Sequence, residues 1–368
     1  MRVPFADLNA QYLSIKNEID SAMANVIAES AFIGGHFVKD FEEQFANAYG
    51  VKHVTGCGNG TDSLYIIMKM LGIGNGDEVI TPANSWISSS ESITQAGAKP
   101  VFVDVHPCFF TIDESQIENK ITEKTKAIIA VHLHGQMCEM EKIKFICERH
   151  KLFLIEDCAQ SHFSEYKATK AGLFGIAGSF SFYPGKNLGA YGDAGCIITN
   201  NDELATKCKI YARHGALIKH QHQVEGINSR LDGIQAAILS AKLPYVETWT
   251  EKRTENADLY NNYLSGIEEI VLPHVRPNTK HTYHLYVIRA QRRNELMKFL
   301  SDKNIETSLH YPTPLPFLPA YKYLDHKTSD YPVSAQLQKE ILSLPMYAEL
   351  TEEMIRYVSD NIKEFYKK

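Results

Sequence analysis

The chain predicts an α/β fold, with a mainly parallel sheet covered by helices on both faces and a smaller α+β unit at the C-terminal end. Between residues 50 and 200, short apolar runs of strand length alternate with segments of helical spacing, as a parallel sheet with crossover helices requires. After about residue 270 this alternation changes character. The length of 368 residues, 44% of them hydrophobic and 22% charged, suffices for one large core and a second, smaller one. The expected division is 1–269 for the large domain with its N-terminal segment and 270–368 for the small domain.

The elements follow in order. Residues 51–55 read as a short strand, and 61–70 as a helix with Leu64, Ile67, Met68 and Leu71 on one face. Strands are expected at 78–81 and 100–104, with a helix at 88–96 between them. Residues 127–132 are a strand, 139–150 a helix, and 152–157 an apolar strand ending on a carboxylate. A short alternating run at 179–183 is the next strand. Residues 231–243 and 247–264 read as helices broken near Pro244, which lacks the N–H a helix interior needs. In the small domain, 283–288 and 305–309 are expected strands, and 294–303 and 351–366 helices. The Pro- and aromatic-rich stretch 311–323 is an expected loop.

Composition removes several function classes. The net charge of -6, with no Lys/Arg-rich run, argues against nucleic-acid binding by counterion release. No apolar run approaches the roughly 20 residues a membrane helix needs, and the start, Met-Arg-Val-Pro-Phe-Ala-Asp, does not read as a signal peptide. Seven scattered cysteines without a Cys-x-x-Cys pair read as reduced thiols of a cytoplasmic protein. His214, His220 and His222 lack an acid or Cys partner at ligand spacing, so no metal is expected.

Three segments carry chemistry. Gly-Cys-Gly-Asn-Gly-Thr-Asp-Ser, residues 56–63, joins a strand to a helix. Its glycines permit a tight turn, and the helix N-terminus offers free N–H groups, which makes a phosphate site. A dinucleotide fingerprint fails there, because position 61 is Thr instead of Gly and no acid ends the following strand. Capping by Asn59 or Thr61 is compatible with a phosphate role. Next, residues 153–160, Phe-Leu-Ile-Glu-Asp-Cys-Ala-Gln, place Asp157 at a strand end. Lastly, residues 178–195, Gly-Ser-Phe-Ser-Phe-Tyr-Pro-Gly-Lys-Asn-Leu-Gly-Ala-Tyr-Gly-Asp-Ala-Gly, present Lys186 on a Pro-Gly turn. Alone, such a lysine is an ordinary loop residue, and such an acid an ordinary feature of a parallel sheet edge. Together they are the arrangement a pyridoxal phosphate enzyme needs: a lysine to form a Schiff base and an acid to keep the pyridine nitrogen protonated.

In this order the segments resemble the sugar aminotransferases of the DegT/DnrJ/EryC1/StrS family, in the aspartate-aminotransferase-like, fold type I group of pyridoxal 5'-phosphate enzymes. The resemblance runs from Phe5-Ala-Asp-Leu to about Pro345. It implies a mixed, mostly parallel seven-stranded sheet. It implies that Gly60, Thr61 and Ser181 hold the cofactor phosphate. Trp86, within Thr-Pro-Ala-Asn-Ser-Trp, would stack on the ring, a core tryptophan being the alternative. Asp157 would face the ring nitrogen, and Gln160 would bond the ring hydroxyl or pack beside it. Lys186 would hold the cofactor and then move the proton. Some relatives carry His in place of this lysine and eliminate a hydroxyl, so Lys186 favours transamination over dehydration.

The same resemblance implies that Asn228 reaches the neighbouring subunit's cofactor phosphate, giving a homodimer with shared sites. Tyr183, Lys219, Arg230, His310 and Tyr311 would contact a nucleotide-linked keto-sugar, and L-glutamate would give the nitrogen. The Tyr-Pro-Gly-Lys variant looks closest to members acting at C3 of dTDP-3-keto-6-deoxyhexoses, in deoxysugar or lipopolysaccharide assembly. A sugar dehydratase, or a non-catalytic nucleotide-sugar-binding or regulatory protein, is the alternative expectation.

Overall fold

In a computed structural model, which describes residues 1–367, the chain forms thirteen strands among the described residues. They are β1 (His53–Cys57), β2 (Glu78–Pro82), β3 (Lys99–Val103), β4 (Thr125–Val131), β5 (Phe153–Asp157), β6 (Glu165–Tyr166), β7 (Thr169–Lys170), β8 (Ala177–Ser181), β9 (Gly195–Thr199), β10 (Ile270–Val271), β11 (Thr279–Lys280), β12 (Tyr286–Ala290) and β13 (Ile341–Leu344). Seven make the central sheet, in the order β1-β9-β8-β5-β4-β2-β3. The pairs β2–β3, β2–β4, β4–β5 and β5–β8 are parallel, whereas β9 runs antiparallel to both of its neighbours, β1 and β8.

Side chains alternate across each strand, so β4 feeds two cores. Ile128 and Ala130 join Phe41, Phe45, Phe180 and Phe182 on one face. Ala127, Ile129 and Val131 join Leu64, Ile67 and Ile197 on the other. Each buried Val, Leu, Ile or Phe among them contributes roughly 1.5–3 kcal/mol of transfer free energy. The helix Gly60–Met70 begins where Asn59 accepts the Asp62 amide at 2.8 Å. The helices Gly35–Tyr49 and Ser88–Ala96 stop at Gly50 and Gly97, whose φ of +71° and +95° suits glycine. The parallel strands all finish on one edge, so the loops after Cys57, Pro82, Asp157 and Ser181 converge there.

A second antiparallel sheet, β10-β12-β13, packs with the helices Arg293–Asp302 and Glu352–Lys367 around Tyr260, Tyr286, Ile288, Leu342, Ile355 and Ile362. A third small sheet is β11-β6-β7. The helix Val246–Leu264 links one central-sheet core to the small-sheet core, with Val246 and Trp249 in the first and Ala257, Tyr260 and Leu264 in the second. Val3 also lies in the small-sheet core and bridges to Ile305. We propose 269/270 as the domain boundary, with these two segments crossing it.

Several expected elements shift for identifiable reasons. Residues 305–309 are no strand: Ile305 bridges Val3 and Ser308 bridges Ser343, so the segment changes partner within three residues. The strand expected at 283–288 begins only at Tyr286, because the carbonyls of Tyr283 and His284 turn to the Arg253 guanidinium, the nearer at 3.1 Å. The strand expected at 179–183 ends at Ser181, whose hydroxyl takes the Tyr183 amide. The loop at 311–323 contains two 3-10 turns, Leu315–Phe317 and the start of Pro319–Leu324. Among the described residues no helix is long and apolar enough to cross a membrane.

Candidate active site

The converging loops enclose a cavity of about 590 Å³. Gly60, Thr61, Trp86, Asp157, Gln160, Ser181, Tyr183, Lys186, His310 and Tyr311 all line it.

Lys186 rides on a loop closed twice at its base. The Phe182 amide donates to the Ala194 carbonyl at 2.7 Å, and the Ala190 amide to the Phe182 carbonyl at 2.8 Å. Within it, the Lys186 amide donates to the Tyr183 carbonyl at 2.8 Å, forming the turn. Burial lowers the Lys186 pKa to about 8, against an opposing pull from the Asp157 charge. About one lysine in ten is then neutral at pH 7, against roughly three in ten thousand at the ordinary value.

Asp157 is buried at the end of β5. One carboxylate oxygen accepts the Ser89 hydroxyl at 2.7 Å, and the other accepts the Ala159 amide at 3.1 Å. Ser89 in turn meets Ser85 at 2.7 Å. Gln160 accepts the His134 amide at 2.7 Å and donates to the Tyr311 hydroxyl at 2.8 Å, so its amide is already oriented.

The glycine loop forms a cradle with no room for a side chain. A Cβ on Gly60 would stand 2.8 Å from that of Ser181. Thr61 shares a 2.6 Å hydrogen bond with Ser88, and the first amides of the helix have no intrahelical acceptor. These groups fit a phosphate. With Lys186 and Asp157 on the same cavity, the residues present fit pyridoxal phosphate. Trp86 is 58% exposed, with its ring 5.5 Å from that of Tyr311, so it is no core tryptophan and is available to a flat ligand.

Uncharged histidines lie in and behind the cavity wall. Burial, with the nearby Lys186 charge, holds His310 to about 4 and His162 to about 3, and burial holds His134 to about 3. His310 stacks on Phe5 at 5.7 Å and meets the Ser343 hydroxyl at 2.8 Å. The Thr282 carbonyl takes the Asn187 side-chain amide at 3.0 Å, which turns the Asn187 oxygen to His284 Nδ1 at 3.1 Å. His284 Nδ1 must then donate, leaving Nε2 as an acceptor.

Sequence reasoning missed several cavity residues: Ser85, Ser88, Arg253, His284 and Glu349. The serine run at 88–90, two residues after Trp86, was a usable signal. His284 was masked by the strand expected there. Conversely, Lys219, Asn228 and Arg230 do not reach this subunit's cavity. All three are exposed, and Asn228 pairs through its backbone with Arg213. Direct substrate contact by Lys219 and Arg230 is therefore not met within one subunit. Ser229, beside them, instead accepts the Gly58 amide at 3.0 Å and braces the glycine loop.

His132, Glu156 and Cys158 lie close enough to suggest a metal site, but their bonding is closed. Glu156 accepts the amides of Gly172, Phe174 and Gly175, and His132 uses both nitrogens, on Glu156 and on the Cys138 amide. This is an internal brace.

The chain is 47% identical over 369 residues to a "Pleiotropic regulatory protein" of Geobacillus stearothermophilus, covering 100% of this chain and 99% of that one. It is 40% identical over 363 residues, 99% of each chain, to a dTDP-3-amino-3,6-dideoxy-alpha-D-galactopyranose transaminase of Aneurinibacillus thermoaerophilus. Among solved structures it superimposes on S. venezuelae DesV, crystallised in complex with a ketimine intermediate, with a TM-score of 0.98 at 36% identity, covering 100% of this chain and 99% of that one. The DegT/DnrJ/EryC1/StrS aminotransferase family matches residues 13–363, and with these relatives and this cavity the chain belongs to that family.

Proposed function

We propose that this protein transfers the amino group of L-glutamate to C3 of a dTDP-linked 3-keto-6-deoxyhexose, giving a dTDP-3-amino-3,6-dideoxyhexose. It is a pyridoxal phosphate-dependent sugar aminotransferase by family; the base, the carbon and the donor are the proposal. The carrying observation is that Lys186 and Asp157 open on one cavity beside the cradle of Gly60, Thr61 and Ser181. The relative that makes a dTDP-3-amino sugar supports the choice of substrate.

Bound pyridoxal phosphate supplies an aldehyde to carry the nitrogen and a ring to accept the electron pair of a broken C–H bond. Lys186 Nζ, with its lowered pKa, takes and returns the proton near neutral pH. Asp157, held by Ser89 and the Ala159 amide, would offer the ring nitrogen a fixed negative charge. The amides at Gly60 and Thr61 and the hydroxyls of Thr61 and Ser181 hold the phosphate. Trp86 would pack on the ring, and Tyr183 and His310, on the same cavity, would position the sugar.

The cavity's carboxylate and guanidinium groups, apart from Asp157, are Asp7, Asp193 and Glu349 against Arg253. A nucleotide diphosphate and a dicarboxylate need more cation than that. Lys219 and Arg230 lie on an exposed loop together with the exposed apolar Leu217, Ile218 and Val224. In our reading this loop crosses to a second copy, and Asn228 completes that copy's phosphate site. Mixing Lys186→Ala with Asn228→Ala chains tests it: two impaired homodimers should yield partial activity after subunit exchange, and none if sites are not shared.

The substrate reading is tested by incubating the purified enzyme with L-glutamate and dTDP- or UDP-linked 3-keto and 4-keto sugars, and analysing products by mass spectrometry and NMR. Amination at C4, or a preference for the UDP sugar, would overturn it. A regulatory role is the second reading, favoured by the name of the 47% identical relative. Lys186→Ala separates the two, because a regulatory effect that needs no turnover survives that substitution.

A further inference from the structure

Lys242 is wholly buried at the end of the helix Gly233–Lys242, and no carboxylate lies within ion-pair distance of it among the described residues. Its ammonium has three donors and meets three acceptors. These are the Gly189 carbonyl at 2.8 Å, the Gln11 side-chain oxygen at 3.0 Å and the face of Tyr191 with its centroid at 4.3 Å. Gly189 and Tyr191 both belong to the loop that carries Lys186.

The same helix grips this loop a second time. Two turns earlier, Gln235 accepts the Tyr191 amide at 2.8 Å. The loop itself is folded tightly there, since a Cβ on Gly189 would stand 2.3 Å from the Pro184 carbonyl oxygen. A movement of Gly189 is therefore passed on to Pro184, two residues before Lys186. A buried cation without a carboxylate is costly to keep, and burial lowers its pKa to about 8, with only the charge of Glu349 opposing. A neutral side chain of similar volume would fill the same space without that cost.

We propose that Lys242 is a positioning residue for Lys186: by holding the Gly189 carbonyl and the Tyr191 ring it fixes the loop that aims the reacting amine. The inference rests on the reading of Lys186 as the reacting lysine. Gln11, which itself lines the cavity, ties the N-terminal helix Leu8–Ser14 into the same clamp.

The test compares Lys242→Met, Lys242→Arg and Tyr191→Leu with wild type and with Ile362→Val, a mild lesion in the distant small-sheet core. Each holoenzyme is measured for kcat, for KM of both substrates, for melting temperature and for the pH midpoint at which the bound cofactor changes colour. Lys242→Met should lower kcat roughly 10²-fold with little change in KM, as a misaimed group does, and should shift the colour midpoint. Lys242→Arg should recover part of both. Ile362→Val should move neither. A folded Lys242→Met enzyme with wild-type kcat and colour midpoint overturns the proposal, even if its melting temperature falls. If Lys242→Met does not fold, Tyr191→Leu decides, since it removes only the ring: a shifted midpoint with lower kcat supports the clamp, and wild-type values overturn it. Full activity in Lys186→Ala would instead remove the functional reading beneath it, a separate result from any obtained at Lys242.

Discussion

Asp157→Asn isolates the charge of Asp157 from its shape. In the native site one oxygen takes the Ala159 amide and the other the Ser89 hydroxyl. The asparagine oxygen can keep the Ala159 bond. Its NH2 then faces Ser89, whose hydroxyl can turn to donate to Ser85, already 2.7 Å away. No polar group is stranded, so folding stability should change by no more than about 1 kcal/mol. The electrostatic loss is larger. The ring nitrogen loses its fixed anion, a deficit of roughly 3 kcal/mol in the barrier by comparison with other preorganised charge sites, or about 10²-fold in kcat. Lys186 loses the one charge that raises its pKa, so its pKa should fall below about 8. The assay is single-turnover reaction of the cofactor-loaded enzyme with L-glutamate, followed by absorbance, beside a calorimetric melt. Activity within a few-fold of wild type at full cofactor occupancy would refute the assigned role. A large loss of stability would refute the hydrogen-bond argument.

Gly60→Ala puts a methyl group 2.8 Å from the Ser181 Cβ, inside the phosphate cradle; we expect weaker cofactor binding by equilibrium dialysis and about 1–3 kcal/mol lower stability, and unchanged affinity would show that the phosphate sits elsewhere. Trp86→Ala should leave the melting temperature nearly unchanged, because the ring is 58% exposed, where a core tryptophan would cost about 3–5 kcal/mol; cofactor affinity should nevertheless fall. Lys186 must be neutral to combine with the cofactor, so the rate of apoenzyme loading should climb with pH through about 8 and then level off; a rate still climbing at pH 10 would contradict the lowered pKa. The same shift has a stability sign. Between about 8 and the ordinary value the unfolded chain holds the extra proton, so this group makes stability rise with pH, by up to about 3 kcal/mol.

The central sheet was legible because its strands are buried on both faces and read as apolar runs, as in the Ala-Ile-Ile-Ala-Val of β4. Seven strands came from the family resemblance, since β9 has no separate signal: its Cys-Ile-Ile run is short and follows the glycines of the lysine loop. Lys186, Asp157 and the glycine loop were visible because each sits at a strand end, where polar residues interrupt an apolar pattern. Lys242 was not. A lysine in a helical pattern reads as solvated, and only the tertiary approach of Gly189 and Tyr191 shows otherwise. Arg253 was hidden likewise, its partners being backbone carbonyls from two distant segments, at Tyr283 and Met346. The helix Pro332–Glu340 buries only Ser334 and Leu337 and so shows no apolar stripe, and β13, Ile-Leu-Ser-Leu, follows it directly with no turn residue to mark its start.

The reversed direction of β9 has a dynamic consequence. Because β9 returns beside β8, the loop bearing Lys186 is the turn of a hairpin, its ends joined through the register Ser181 to Gly195 and Gly178 to Ile198. A crossover loop could fray alone, but this one opens widely only when the ladder beneath it parts. The backbone amides of Phe182, Lys186 and Ala190 should therefore exchange with deuterium as one cooperative unit with those of β8 and β9, far more slowly than the exposed stretch from Leu217 to Glu225. Lys186 would thereby be mounted on a slow-opening part of the molecule, although it sits in a loop.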